Sequence, residues 1–169
     1  MKNIVLTGMM GSGKTTCGKA LARRLGREFL DTDAMIVSQA GKSIPEIFSQ
    51  EGEPAFRDWE TAICRQLTDR ENLIIATGGG LILRPENVAL LKARGVLVFL
   101  NRPADLIFDS TSMAGRPLAQ NGKAAFLQTF AVREPYYRAA ADAVIETFPS
   151  VEDTVTEILQ QLHTLEGVL

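Results

Sequence analysis

The sequence has few of the residues from which metal centres and disulfide frameworks are built. Its 169 residues include one histidine and two cysteines. Cys17 and Cys64 form neither a CxxC pair nor a metal-type cluster, and both fall in helical patterns, so we interpret them as buried, reduced thiols. His163 lies on a predicted terminal helix, away from every motif, and is predicted to be a solvated surface residue.

Excess charge and long apolar runs are missing as well. Eighteen basic and twenty acidic side chains give a formal net charge of −2, which supplies no electrostatic footprint for nucleic acid or for an anionic membrane. No apolar run reaches the length of a membrane span, about 20 residues, and Met1-Lys2-Asn3 leads into a strand rather than a signal peptide. We expect a cytoplasmic protein without nucleic-acid or membrane partners.

The chain does contain a regular alternation of strands and helices, in a length typical of one domain. Short apolar segments rich in β-branched residues predict strands, and apolar residues at helical spacing predict helices. The predicted strands are 4–6, 28–31, 73–77, 96–100 and 143–145, and the predicted helices are 14–25, 34–40, 44–50, 54–68, 85–94 and 150 to about 165. This pattern indicates an α/β fold with helices on both faces of a parallel sheet. Ligands of such folds bind at the carboxyl ends of the strands.

A phosphate-binding motif follows the first predicted strand. Residues 8–15, here called the phosphate loop, spell G-x-x-x-x-G-K-T. Such a loop joins a buried strand to a helix N-terminus, so that its backbone N–H groups converge on phosphate oxygens. The alternative, a glycine-rich turn beside a chance lysine, does not explain why strand and helix flank it correctly. The chain is therefore predicted to bind a nucleoside triphosphate through Gly11, Ser12, Gly13, Lys14, Thr15 and Thr16.

Two carboxylates, Asp31 and Asp33, follow the second predicted strand. A phosphoryl transferase needs one acidic group near Mg²⁺ and another that orients or deprotonates the attacking hydroxyl. An aspartate here also suits a helix N-cap, and Asp33 directly precedes the helix predicted from Ala34. Beside a phosphate loop we favour the catalytic interpretation, with capping as the alternative.

Three consecutive glycines, Gly78, Gly79 and Gly80, follow the third predicted strand and are called the glycine run below. They expose backbone N–H groups and let a small polar ligand approach the main chain, whereas a tight turn needs a single glycine. On the preceding helix, Arg57 and Glu60 are i,i+3 neighbours that face the same way. A surface salt bridge is the usual meaning of such a pair. The alternative is that Glu60 orients Arg57 toward an anionic substrate group, since the guanidinium fork matches a carboxylate.

Two further arginines follow the fourth predicted strand. Small and polar residues from about 110 to 123 are unsuited to a regular element and predict a mobile lid. Lid closure would bring Arg116 to the transferring phosphoryl group. The segment Arg133-Glu134-Pro135-Tyr136-Tyr137 is predicted to begin a short helix, from which Arg133 can point back at the site.

These elements together resemble the shikimate kinase family. Six motifs follow the family's order and approximate spacing: the phosphate loop, Asp31-Thr32-Asp33, Phe56-Arg57-x-x-Glu60, Gly78-Gly79-Gly80, Arg116-Pro117-Leu118 and Arg133-x-Pro135-x-Tyr137. The resemblance covers nearly the whole chain. It implies one kinase domain over residues 1–169, with a P-loop, nucleoside-monophosphate-kinase-like fold of three α/β/α layers around a five-stranded parallel sheet. Its substrate-binding helical segment is implied at about 32–70.

The same resemblance implies ATP-dependent phosphorylation of the 3-hydroxyl of shikimate, in aromatic amino-acid biosynthesis. On the nucleotide side, Lys14 would stabilise charge on the β- and γ-phosphates and Thr15 would ligate Mg²⁺ through its hydroxyl. Asp31 would hold the Mg²⁺ shell through water, and Arg116 would close onto ATP from the lid. These assignments suit phosphoryl transfer, which depends mainly on positioning and charge neutralisation.

On the acceptor side, the resemblance implies that Asp33 binds the shikimate hydroxyls and is the candidate proton acceptor. Arg57 and Arg133 would bind the substrate carboxylate, and Gly79 and Gly80 would add backbone donors. Asp33 is thus implied to be catalytic together with Lys14 and Arg116.

One position departs from the family pattern. Family members commonly carry an arginine that stacks on adenine seven residues before the lid arginine, and here that position is Asp109. An aspartate cannot form a cation–π contact, so we expect nucleotide binding to depend mainly on the phosphates. Arg102 is the nearest arginine that could reach this region, and the loop at 147–149 is the alternative.

Two other functions remain open from the sequence. Another small-metabolite kinase of the same fold, such as a gluconate-type enzyme, would share the phosphate loop, but the FRxxE and lid patterns argue against it. A non-catalytic shikimate-binding regulator should have lost Lys14, Asp33 or Arg116, and all three are present. We expect a monomer that binds shikimate and ATP.

Overall fold

The computed structural model of the chain describes residues 1–110, 122–147 and 149–169. Five strands form one parallel sheet in the order β2-β3-β1-β4-β5. They are β1 (Asn3–Thr7), β2 (Glu28–Asp31), β3 (Leu73–Ala76), β4 (Gly95–Asn101) and β5 (Ala143–Glu146). All five were predicted, with ends that differ by at most one residue.

Helices cover both faces of this sheet. In the described part of the chain they are α1 (Lys14–Leu25), α2 (Thr32–Ala40), α3 (Ile44–Glu51), α4 (Glu53–Leu67), α5 (Pro85–Arg94), α6 (Ala104–Ser110), α7 (Gly122–Ala140) and α8 (Val151–Leu162), with a 3₁₀ turn at Leu81–Leu83. The predicted α/β fold class is confirmed. Within the described ranges, no helix combines the length and the apolar character needed to cross a membrane.

The prediction of a short helix beginning at Arg133 is wrong. Arg133 lies well inside the 19-residue helix α7, and Pro135 is an interior proline. Proline near a helix start is a common signal, which is why the sequence suggested a start here. The core-facing residues Phe126 and Tyr137 are fully buried on either side of the proline. Their packing holds the helix continuous despite the backbone donor that proline removes.

The sheet is buried on both faces, which explains why its strands are continuously apolar. In β1, Ile4 and Leu6 pack in one core cluster and Val5 packs in the other. Cys17 and Cys64 are buried free thiols, one in each cluster, as predicted. Burial raises the pKa of Cys64 to about 12.

Parallel pairing brings three loop starts to one edge of the sheet. Ala76, the last residue of β3, pairs with Leu6 of β1 on one side and with Asp31 of β2 on the other. The phosphate loop, the segment from Asp31 to Asp33 and the glycine run therefore begin side by side. This edge is where the sequence predicted the ligand site.

At the opposite end of the strands, a buried asparagine fixes the register of β1 against β3. Asn3 Nδ2 donates to Arg70 O at 2.8 Å, and Asn3 Oδ1 accepts from Leu73 N at 2.9 Å. Asn3 is 2% exposed, so water cannot replace either partner without opening the sheet. The amide thereby helps to set the height of the phosphate loop relative to the glycine run.

Replacing Asn3 by Ala should lower the free energy of unfolding by about 1–3 kcal/mol, because the backbone N–H of Leu73 loses its buried partner. Urea denaturation monitored by circular dichroism measures this change. Gln39→Ala is the matched control, since Gln39 exchanges amide hydrogen bonds with Gln66 on an exposed surface. Equal destabilisation by the two substitutions would show that Asn3 does not fix the register.

Candidate active site

A cavity of about 690 Å³ opens at the carboxyl edge of the sheet. Its size suits a small-molecule site. Among the predicted site residues that the structure describes, all except Ser12 line it: Gly11, Gly13, Lys14, Thr15, Thr16, Asp31, Asp33, Arg57, Gly78, Gly79, Gly80 and Arg133. Ser12 is buried within the phosphate loop. The residues predicted from separate motifs are therefore brought together.

The phosphate loop has the backbone geometry that its glycines allow. Gly8 and Gly13 adopt φ values of 143° and 95°, a region that other residues rarely enter. A Cβ at Gly8 would also lie 2.8 Å from Leu100 O. The loop curves around Lys14, whose Nζ donates to the carbonyls of Gly8 and Met9 at 2.7 Å each. The ammonium group is thus fixed where the phosphates of a nucleotide would enter.

Asp31 connects this loop to helix α2. Its Oδ1 accepts from the backbone N–H groups of Asp33 and Ala34 at 2.9 and 3.2 Å, and its Oδ2 accepts from Thr15 Oγ1 at 3.1 Å. Asp31 is therefore the N-cap of α2, and the alternative assignment of the cap to Asp33 is wrong. The helix starts at Thr32, two residues earlier than expected, because Asp31 keeps extended backbone angles and ends the strand.

Asp33 is free from the capping role and projects into the cavity. Burial and the nearby Asp31 raise the pKa of Asp33 to about 6, although Lys14 and Arg57 act in the opposite direction. Its Oδ1 is buried and has no hydrogen-bond partner among the described residues. A buried carboxyl oxygen without a partner is costly, which suits a group that a ligand hydroxyl completes.

Arg57 and Glu60 form a buried ion pair. Arg57 Nη1 lies 2.6 Å from Glu60 Oε1, and the side chains are 13% and 0% exposed. The interpretation as a surface salt bridge is therefore wrong, and the orienting alternative agrees with the geometry. Burial would lower the pKa of Arg57, but Glu60 and Glu53 outweigh it and raise the pKa. Burial raises the pKa of Glu60 to about 7 against the opposing effect of Arg57.

Each glycine of the glycine run leaves room for charged side chains. A Cβ at Gly78 would lie 2.7 Å from Asp33 Oδ1 and 3.2 Å from Glu60 Oε2. A Cβ at Gly79 would lie 3.2 Å from Arg133 Nη1, and one at Gly80 would lie 2.7 Å from Arg57 Nη2. Sequence reasoning predicted backbone donors here and missed this packing role. The three adjacent glycines were its only signal.

Helix α7 supplies Arg133 and a residue that sequence reasoning left without a role of its own. Arg133 is buried, and Tyr137 one turn later is fully buried. The Tyr137 hydroxyl donates to Gly79 O at 2.5 Å, and burial raises its pKa to about 12. Tyr137 thereby holds the glycine run against α7 beside Arg133.

Comparisons with known proteins agree with this site. The family model for shikimate kinase matches residues 10–163. A shikimate kinase of Burkholderia lata is 47% identical, over 99% of this chain and 92% of the relative. A solved shikimate kinase from Acinetobacter baumannii, in complex with shikimate, has a TM-score of 0.92 at 41% identity and covers 99% of this chain and 96% of its own. The chain belongs to the shikimate kinase family.

Membership in the shikimate kinase family confirms the predicted kinase class and the P-loop fold. A gluconokinase from Sinorhizobium meliloti has a TM-score of 0.63 at 19% identity, covering 97% of this chain and 93% of its own. At that identity the likeness shows the fold alone. The family assignment therefore depends on sequence similarity along the whole chain, not on the architecture.

The region that the shikimate kinase pattern assigns to the nucleobase differs here. Asp109 accepts from Lys123 Nζ at 2.8 and 2.9 Å, an exposed ion pair between α6 and α7. Arg102, next to the end of β4, donates from Nη1 to Gly11 O at 3.1 Å. Arg116 and most of the predicted lid lie outside the described residues.

Gly80→Ala should raise the KM for shikimate by roughly ten- to hundredfold, because the added Cβ displaces the Arg57 guanidinium by a fraction of an ångström or more. Gly80 has φ −103° and ψ 1°, angles open to alanine, so backbone strain is not the cause. Steady-state kinetics with both substrates varied measures the effect, and the KM for ATP is the internal control.

Making Gly80→Ala in an Arg57→Ala background separates displacement of the Arg57 guanidinium from a general disruption of the site. We expect little further loss in the double variant, since the displaced group is already gone. Additive losses, or an equal rise in the KM for ATP, would contradict the packing role of Gly80.

Proposed function

We propose that this chain transfers the γ-phosphoryl group of ATP to the 3-hydroxyl of shikimate. The observation that carries the proposal is the buried charged set beside the phosphate loop. Arg57 and Arg133 are held against the glycine run, and the carboxyl of Asp33 lies beside them. An acid that carries several hydroxyls matches this set, since its carboxylate binds arginine and its hydroxyls bind a carboxylate.

On the nucleotide side, we propose that the phosphate loop binds the triphosphate. Lys14 and the N-terminus of α1 supply positive charge at fixed positions. Arg116 would add a further cation from the lid, a role that rests on the sequence alone. These groups would neutralise charge that spreads over the equatorial phosphoryl oxygens during transfer.

The residues next to the loop fit a magnesium ion. Thr15 Oγ1 and Asp31 Oδ2 lie 3.1 Å apart, and oxygen ligands of this kind are those that Mg²⁺ prefers. No group of three or more acidic, histidine or cysteine side chains suited to a metal lies within the described residues, which agrees with an ion that keeps waters and shares the phosphates of its nucleotide. Bound there, Mg²⁺ would neutralise phosphate charge.

Asp33 is the proposed proton acceptor and hydroxyl-orienting group. Its pKa of about 6 leaves it mostly ionised at neutral pH, while making it a better base than an ordinary aspartate. The ionised Oδ1 would accept the hydrogen bond of the attacking hydroxyl, which satisfies the buried oxygen that has no partner among the described residues. The same bond would aim the hydroxyl oxygen at the phosphoryl group.

We further propose that the enzyme acts as a monomer in the cytoplasm. The two cysteines are free and buried, which is usual for a protein of a reducing compartment. One chain carries every residue assigned above, so catalysis would not need a second copy.

A coupled assay for ADP release, with Mg²⁺, ATP and a panel of hydroxy acids that includes shikimate and gluconate, tests the proposed function. We expect shikimate to be the preferred acceptor and the product to carry phosphate on the 3-hydroxyl. Lys14→Met is the control for contaminating kinase activity and should lose at least about a hundredfold in rate. Faster turnover of gluconate, or turnover in the Lys14→Met protein near that of the wild type, would refute it.

The pH dependence of kcat/KM for shikimate tests the role of Asp33. A protonated carboxyl cannot accept the hydroxyl proton, so activity should fall as pH decreases through about 6, by roughly tenfold per pH unit below it. Asp33→Asn should lose most activity and the dependence near pH 6 together.

Glu60 titrates in a neighbouring range, with a pKa raised to about 7 by burial, and needs its own control. A decrease that disappears in Glu60→Gln belongs to Glu60 rather than to Asp33. Activity that stays flat down to pH 5 in the wild type would exclude Asp33 as the proton acceptor.

A further inference from the structure

The cations around the cavity lie on two sides of the phosphate loop. Arg57 and Arg133 contact the glycine run, which follows β3. Arg102 follows β4, on the other side of β1 in the sheet order. Its Nη1 donates to Gly11 O at 3.1 Å, its side chain is half-buried, and it lines the same cavity as Lys14.

The direction of a bound triphosphate follows from the acceptor side. The γ-phosphate must face the acceptor hydroxyl, and Asp33, its proposed partner, lies toward β2 and β3. A triphosphate bound along the phosphate loop would then place its nucleoside end on the side of β4. We call this the nucleoside side of the loop. Arg102 occupies it.

We propose that Arg102 binds the nucleotide, with its guanidinium neutralising the phosphates nearest the nucleoside. This inference rests on the proposed ATP site and adds a residue to it. The neutral carbonyl of Gly11 is a weaker partner for a guanidinium than an anionic phosphate oxygen. The nearby carboxylate of Asp109 is paired with Lys123, so its charge is already largely balanced. Arg102, next to the end of β4, thus supplies a positive charge on the nucleoside side of the loop, where Asp109 supplies none.

Two substitutions separate the role of the Arg102 charge from the role of its hydrogen bond to the phosphate loop. Arg102→Gln removes the charge and keeps only a shorter amide donor, whereas Arg102→Lys keeps the charge. Arg23→Gln is the matched control, because Arg23 is an exposed arginine on α1 that does not line the cavity. Isothermal titration with ADP, inorganic tripolyphosphate and shikimate measures the dissociation constants, and thermal melting checks the fold.

For Arg102→Gln, we expect binding of both ADP and tripolyphosphate to weaken by about tenfold, the usual loss of one charged hydrogen bond. Arg102→Lys should stay within about threefold of the wild type, and shikimate binding should not change in either variant. Arg23→Gln should bind all three probes like the wild type.

Three outcomes would overturn the inference. Wild-type affinities in Arg102→Gln would reduce Arg102 to a brace for the phosphate loop. A loss for ADP without a loss for tripolyphosphate would move its contact to the nucleoside. An equal loss for shikimate would place it in the acceptor site. The proposed function fails separately, if the wild-type protein binds no ADP or shows no shikimate-dependent turnover.

Discussion

Close packing of the glycine run against charged side chains is the constraint on which the acceptor site depends. Asp33, Arg57 and Arg133 come from three different helices, and each lies where a Cβ on the glycine run would clash or crowd. Side chains from separate helices ordinarily need partners of their own to stay fixed. Here the main chain after β3 supplies one shared wall, and the Tyr137 hydroxyl fixes that wall from behind. The relative positions of the three charges are thus set by backbone, the least mobile part of the molecule.

Opposite charges within the site offset the free-energy cost of burying its charged groups. Two carboxyls, Asp33 and Glu60, are buried close to one another; burial raises the pKa of both, and Asp33 raises the pKa of Glu60 further. Removing one partner of a buried ion pair costs about 3–5 kcal/mol, so Arg57 is needed for stability even before a ligand binds. Glu60 and Glu53 both pair with the Arg57 guanidinium and hold it in one geometry, and Arg57 lines the cavity. The proposed substrate carboxylate would therefore meet an arginine that has already lost most of its rotational freedom.

The sequence was sufficient where the chemistry is local and insufficient where it depends on packing. The phosphate loop could be predicted because strand, glycines, lysine and helix are contiguous, and backbone geometry follows from that order. The burial of Glu60 could not, since the i,i+3 spacing is the same for a surface pair and for a buried one. The sequence also did not show that Pro135 lies inside a helix. Packing of Phe126 and Tyr137 against residues distant in sequence keeps α7 continuous at the proline. The assignment of the helix cap to Asp33 was wrong for a similar reason, since only the backbone angles show that Asp31 is the N-cap.

The sheet order separates the residues proposed to bind the nucleotide from those proposed to bind the acceptor. Helices α2, α4 and α7 and the glycine run after β3 supply the proposed acceptor residues, whereas Arg102, next to the end of β4, lies on the proposed nucleoside side of the phosphate loop. The two groups also meet away from the phosphate loop, because Tyr137 of α7 stacks on Phe99 of β4 with ring centroids 5.0 Å apart. The exposed ion pair of Asp109 with Lys123 joins α6 to α7, the helix that also carries Arg133. The proposed nucleotide and acceptor residues are thus joined through α7 as well as through the phosphate loop.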